Sequence, residues 1–210
     1  MFVKICGFTR GGDIAAVREA PVHAAGLIFY RKSPRYCSME QAESVINAMK
    51  GLPVKKAGVF VDTEEHDVRI TADRLGLDFL QLYDMDMADR LSGFRRIIRV
   101  YRVGAPEDAA AIPAPKGDDL LLLDTMKQGL YGGTGHAFDW NILRDFPYMH
   151  RTIVAGGVGA ENLRELLDTV RPFGVDICSG SEKSPGVKSP DKIHAIIQIL
   201  KEAGCYEYSS

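Results

Sequence analysis

The sequence has no excess of charge of either sign, no long apolar run and no paired cysteine motif, and each absence removes a class of protein. With 26 basic and 28 acidic residues the formal net charge is −2. No broad positive field attracts nucleic acid or an anionic membrane, and an anion site has to be local. The first residues, MFVKICGF, carry a lysine where a secretory leader needs uninterrupted apolar residues, and no later run has the length of a membrane span. A cytoplasmic protein is expected. The four cysteines, Cys6, Cys37, Cys178 and Cys205, form no C-x-x-C pair, which argues against a zinc site and against a secreted disulfide framework. They are expected to be free thiols. There is no low-complexity block and no break in composition, so residues 1–210 read as a single domain, with 205–210 as a flexible tail.

Short apolar or β-branched runs are present at 2–6, 25–29, 56–61, 79–82, 97–103, 120–124, 152–155 and 174–178. Most are too continuously apolar to have one wet face, and tens of residues separate them, as expected of buried parallel strands joined by crossovers. Helical patterns lie between them: SMEQAESVINAMKG, EEHDVRITADRLG, ENLRELLDTVRP and SPDKIHAIIQILKEAG. In the last, Ser189 suits the N-cap and Pro190 the first helical position, while Ile193, Ile196, Ile197 and Leu200 share one face before Gly204. The stretch GAPEDAAAIPAPKG has three prolines and little amphipathic pattern, so the crossover after the fifth strand is expected to be loop-like. Eight strand–helix units in a chain of this length predict an α/β protein, a (β/α)8 TIM barrel rather than a five- or six-stranded doubly wound sheet.

In such a barrel the site lies at the C-terminal ends of the strands. Those ends collect Cys6, the SPR turn with Arg35, Asp62, QLY with Gln81, Arg99 or Arg102, Asp124, AGG and SG. In TIVAGGVGAENL and DICSGSEKSP a glycine-rich turn follows a strand, so backbone N–H groups at Gly156, Gly157, Ser179 and Gly180 can approach a phosphate; plain glycine turns are the competing reading. The long loop DTMKQGLYGGTGHAFDW holds Lys127, Thr134 and His136 and suits a flap, since GGTG lacks the P-loop frame. Asp124 closes the apolar strand LLLLD, where partial desolvation favours its protonated form. Cys6 is either a small core residue or a reactive thiol. A carboxylic acid and a thiolate base on facing strands suit proton transfer to and from one substrate.

The motifs KICGFT, GLIFYRKSPRY, AGVFVD, LLLLDT with GGTGHAFDW, VAGGVGAENL and GVDICSGSEKSPGVKSPDKI together resemble the phosphoribosylanthranilate isomerase family of tryptophan biosynthesis. That resemblance implies a (β/α)8 barrel catalysing an Amadori rearrangement of a small phosphosugar, with no cofactor, no metal, no nucleic acid and no membrane partner, as monomer or homodimer. It implies Cys6 as general base and Asp124 as general acid, and Arg35 on the anthranilate carboxylate. Gln81, Asp176, Gly133 and Thr134 are implied to contact substrate, and Gly156, Gly157, Ser179 and Gly180 to bind its phosphate. Departures are Tyr83 and Asp84, where the family's QLHG has histidine and glycine, Ala160 in GGVGAEN, Ser181 in SGSE, and Arg99, where lysine is common. Two other readings are a related histidine-pathway isomerase, which has aspartate in place of Cys6, and a barrel that has lost catalysis.

Overall fold

The computed structural model describes residues 1–20, 22–124 and 139–206. Eight parallel strands close into a barrel: β1 (Phe2–Cys6), β2 (Ala24–Ile28), β3 (Lys55–Phe60), β4 (Phe79–Leu82), β5 (Arg96–Arg102), β6 (Leu120–Asp124), β7 (Thr152–Ala155) and β8 (Gly174–Ile177), each bonded to the next and β8 to β1. Every strand lies within one residue of its expected bounds. Alternation sorts their side chains. Ala57, Phe79, Ile98, Val100, Leu120, Leu122, Ile153 and Ala155 pack inside the barrel. Val3, Ile5, Leu27, Leu80, Leu82, Leu121, Leu123, Val154, Val175 and Ile177 face the helices. Two buried faces explain why these strands read as nearly continuous apolar runs.

The helices are α1 (Ala15–Glu19), α2 (Met39–Ala48), α3 (Glu65–Leu75), α4 (Met85–Arg90), α5 (Pro106–Ala110), α6 (Leu163–Thr169) and α7 (Pro190–Glu202). Ser38 caps α2 by accepting from the Gln41 N–H, and the Gln41 side chain returns a bond to the Ser38 N–H, a closed capping box. Ser189 caps α7, whose Ile193, Ile196, Ile197 and Leu200 are buried as expected. The crossover after β5 contains only the five-residue α5, started by Pro106 at the first helical position, and is otherwise irregular before β6.

A two-stranded ribbon, β9 (Glu182–Ser184) with β10 (Val187–Lys188), lies beside the C-terminal mouth. Of the expected tail 205–210, residues 207–210 lie outside the described residues; Cys205 and Tyr206 are half-buried, with Tyr206 edge-on to His23 at 6.0 Å. An aromatic ring at that position covers the foot of β2 rather than remaining in water. Among the described residues no helix is long and apolar enough to cross a membrane.

Candidate active site

Side chains at even positions of β1 point into the barrel, because Val3 and Ile5 pack on the helix side. Lys4 and Cys6 are therefore stacked on one inward face. Lys4 is fully buried, and its Nζ reaches Asp176 Oδ2 of β8 at 2.7 Å, the two residues being direct partners in the β1–β8 register. Above it, Cys6 ends the strand with 4% of its surface exposed. The space beside both belongs to Gly26: a methyl carbon there would lie 2.7 Å from Cys6 Sγ and 3.2 Å from Lys4 Nζ. Residue 26 lies next to Cys6 in the β1–β2 pairing, so only hydrogen leaves room for the sulfur.

These neighbours set the charges. Burial by itself discharges a lysine, but Asp176 and Cys6 outweigh it and hold Lys4 as an ammonium well above its ordinary range. Cys6 is lowered to about 7, first by a hydrogen bond from the Cys178 thiol, against burial and Asp176, and with Lys4 and Lys188 adding positive charge. Cys178 is pushed the other way by the same bond and by burial, and stays a thiol. Lys188, fully buried, donates from Nζ to the Cys6 carbonyl and to Glu182 Oε1 at 2.9 Å. Cys6 thus lies among cations in a nearly closed setting, a charge environment that favours a thiolate.

Across the mouth, Asp124 ends β6 on the inward face, in register with Arg102 of β5 and Ala155 of β7. Burial, then Asp176, raises its carboxyl above the usual range, with Arg102 pulling the other way. Tyr83 follows β4 on the same face, with the Arg102 guanidinium 5.8 Å from its ring. Burial, then the Asp124 charge, keeps its phenol protonated far into alkali. Gln81 and Asp176 complete the interior, and Gln81 Oε1 and Asp176 Oδ1 are buried acceptors without a hydrogen-bond partner among the described residues.

The two glycine turns meet. Gly156 and Gly157 adopt positive φ of 93° and 70°, a region open to glycine, and among the described residues nothing lies within 4 Å of where a Gly157 side chain would start. Asn162 fixes this loop, accepting from the Gly159 N–H at 2.9 Å and donating to the Gly157 carbonyl at 2.9 Å. After β8, residues Ser179–Ser181 form one 3₁₀ turn, in which a side chain on Gly180 would run into the Val158 carbonyl. The loops after β7 and β8 therefore touch, as a shared anion cradle requires.

A family model for N-(5'-phosphoribosyl)anthranilate isomerase matches residues 3–199. The chain belongs to this isomerase family. It is 37% identical over 203 residues to the family enzyme of Pseudomonas fluorescens (strain SBW25), with 95% of each chain covered, and 39% identical over 201 residues to that of Acidithiobacillus ferrooxidans, covering 95% and 97%. It superposes on the crystal structure of the Thermotoga maritima isomerase with a TM-score of 0.83 at 32% identity, over 96% and 99% of the chains. A structure of a phosphoribosylanthranilate isomerase in complex with reduced 1-(o-carboxyphenylamino)-1-deoxyribulose 5-phosphate gives a TM-score of 0.80 at 30% identity over 96% and 99% of the chains.

In this member of the isomerase family Cys6, Gln81, Asp124 and Asp176 converge on one mouth, with the Gly156–Gly157 and Ser179–Gly180 turns at its edge. Arg35 stands there too, but not free: Nε and Nη2 grip Glu182, at 2.9 and 2.8 Å to Oε2. Gly133 and Thr134 fall outside the described residues, as do Lys127 and His136. Arg99 is excluded from the mouth. It faces the helix layer, bonded to Asp119 at 2.7 Å and Asp89 at 2.8 Å, and the basic group of β5 at the mouth is Arg102. Sequence reasoning missed Glu182, Lys188 and Asn162. The helix-side parity of Arg99, between inward Ile98 and Val100, was a legible signal; the Glu182 contacts span 147 residues to Arg35 and had none.

Proposed function

We propose that this chain converts N-(5-phosphoribosyl)anthranilate to 1-(o-carboxyphenylamino)-1-deoxyribulose 5-phosphate, the Amadori step of tryptophan biosynthesis. It acts as one barrel domain in the cytoplasm, as monomer or homodimer. The observation that carries the reading is the pair Cys6 and Asp124, inward-facing at the same end of the barrel, with the thiol lowered to about 7 and the carboxyl raised. Each shift favours the form its role needs: thiolate as base, carboxylic acid as proton donor.

Asp124 protonates the ribose ring oxygen, and the ring opens to an iminium. That cation acidifies the neighbouring C–H, so Cys6, a modest base, removes the C2 proton and leaves an enolamine that tautomerises to the ketone. One proton enters and one leaves, so the reaction asks for no cofactor. The substrate's phosphate lies against the N–H groups of Gly156, Gly157, Ser179 and Gly180, and the open acceptors of Gln81 and Asp176 receive sugar hydroxyls. Arg35 is shared. Glu182 occupies its Nε edge, and Nη1 remains to meet the anthranilate carboxylate.

The test is a fluorescence assay in which phosphoribosylanthranilate, generated from anthranilate and phosphoribosyl pyrophosphate by a transferase, is consumed. The purified chain should quench the signal, and Cys6→Ala or Asp124→Asn should each lose roughly 10²–10⁴-fold in kcat while still binding a reduced product analogue. No consumption by the unaltered chain would overturn the reading.

A further inference from the structure

The catalytic thiol has a second thiol beside it. The β1–β8 register runs Phe2 with Gly174, Lys4 with Asp176 and Ile5 with Ile177, so the next step brings Cys6 alongside Cys178. Cys178 follows β8 directly, two residues after the inward-facing Asp176. Its sulfur leans over the turn that follows Cys6: a methyl carbon at Gly7 would lie 3.1 Å from Cys178 Sγ. Gly7 itself has a φ of 83°, which glycine adopts without strain, so no side chain crowds the Cys178 sulfur there. Cys178 is partly exposed to the mouth, and both cysteines are free.

We propose that Cys178 is a positioning residue for the isomerisation, its S–H donating a hydrogen bond to the Cys6 thiolate and holding that sulfur toward the mouth. The proposal rests on the reading of Cys6 as base. A thiolate in a nearly closed site needs donors to replace water. The other groups facing Cys6 are the Lys4 ammonium from below, the Asp176 carboxylate on β8, Lys188 from β10, Arg35 from the loop after β2 and Tyr83 after β4. Lys4 is tied to Asp176, Lys188 to Glu182 and the Cys6 carbonyl, and Arg35 to Glu182. Tyr83, like Cys178, has no described ion pair, but it follows β4 across the barrel, whereas Cys178 follows β8, the strand paired with β1.

The inference is tested on the full chain with Cys178→Ala, Cys178→Ser and, should the alanine variant fail to fold, Cys178→Val. Two readouts are taken: the rate of Cys6 alkylation by iodoacetamide against pH, resolved by peptide mass spectrometry, and the pH profile of kcat/KM. In the unaltered chain Cys6 should titrate near 7. Loss of the donor should move that midpoint, and the matching kinetic pKa, upward by about one to two pH units. Serine, whose O–H donates in the same direction, should restore most of the shift. A midpoint unmoved in the alanine or valine variant, or equal shifts in the serine and apolar variants, would overturn the proposal. The alkylation readout decides it without activity, so an inactive enzyme, which would sink the proposed function, is distinguishable from a thiol that Cys178 does not hold.

Discussion

Two buried cysteines stand one strand apart and have opposite chemistry. Cys6, at the end of β1, is 4% exposed and is lowered to about 7; Cys37, in the loop between β2 and α2, is fully buried and is pushed up to about 12. Burial alone acts on Cys37, which belongs to the apolar layer between strands and helices. Burial raises Cys6 too, but its sulfur faces the barrel axis, where Cys178, Lys4 and Lys188 more than offset it. What each sulfur faces, not the depth of burial alone, sets its charge: Cys37 lies in the loop between β2 and α2 with its sulfur in the apolar layer, and Cys6 looks into the barrel.

The sharpest way to break this comparison is deletion of each sulfur. Cys6→Ala should cost roughly 10²–10⁴-fold in kcat, whereas Cys37→Ala should leave kcat within about twofold, measured by phosphoribosylanthranilate consumption. Comparable losses from both would mean that Cys6 matters only as packing. Next in size is Lys4→Met, which strips the cation from beneath Cys6 and leaves Asp176 buried without its partner. Urea unfolding should show a loss of about 3–5 kcal/mol, the usual consequence of halving a buried ion pair. The same variant should move the Cys6 midpoint upward from about 7, because a positive charge that favoured the thiolate has gone. A downward movement would contradict the assigned electrostatics.

The contrast also separates what a sequence carries from what only the fold supplies. The runs FVKIC and LLLLD announced strands with a thiol and a carboxyl at their ends, because each strand is local and its last residue faces the mouth by parity alone. The glycine turns were legible for the same reason, since positive φ and a missing side chain are local properties. Short helices such as α4 carried too few turns to register as a period, although Asp84 caps it through the Met87 N–H. What stayed hidden was contact across the closure of the barrel. Cys178 beside Cys6, Asp176 beneath it and Glu182 on Arg35 are each separated from their partners by well over a hundred residues. They meet because β8 closes on β1, and parity read from a single strand does not name its neighbour.

A smaller effect sharpens the comparison in chemical terms. At pH 7 iodoacetamide should label Cys6 on the order of a hundredfold faster than Cys37. The gap between about 7 and about 12 favours the Cys6 thiolate, and the greater intrinsic nucleophilicity of a high-pKa sulfur returns only part of it. Labelling of both at similar rates would show that the two environments are alike.

The smallest expected effect is on stability at Cys37 itself, and it tests the apolar half of the comparison. Cys37→Ala removes one sulfur from a packed layer and should cost about 1 kcal/mol, near the value of a buried methylene. Cys37→Ser is closer in shape, yet it introduces a hydroxyl where burial is the sole influence acting on the present thiol. An unpaired buried hydroxyl costs about 1–3 kcal/mol, so serine should be the worse of the two in a thermal melt. At 178 the order reverses, because there serine keeps a donor facing a thiolate. If serine proved milder than alanine at 37 as well, the apolar layer would hold a polar partner for that position, and burial would no longer account for the inert thiol there.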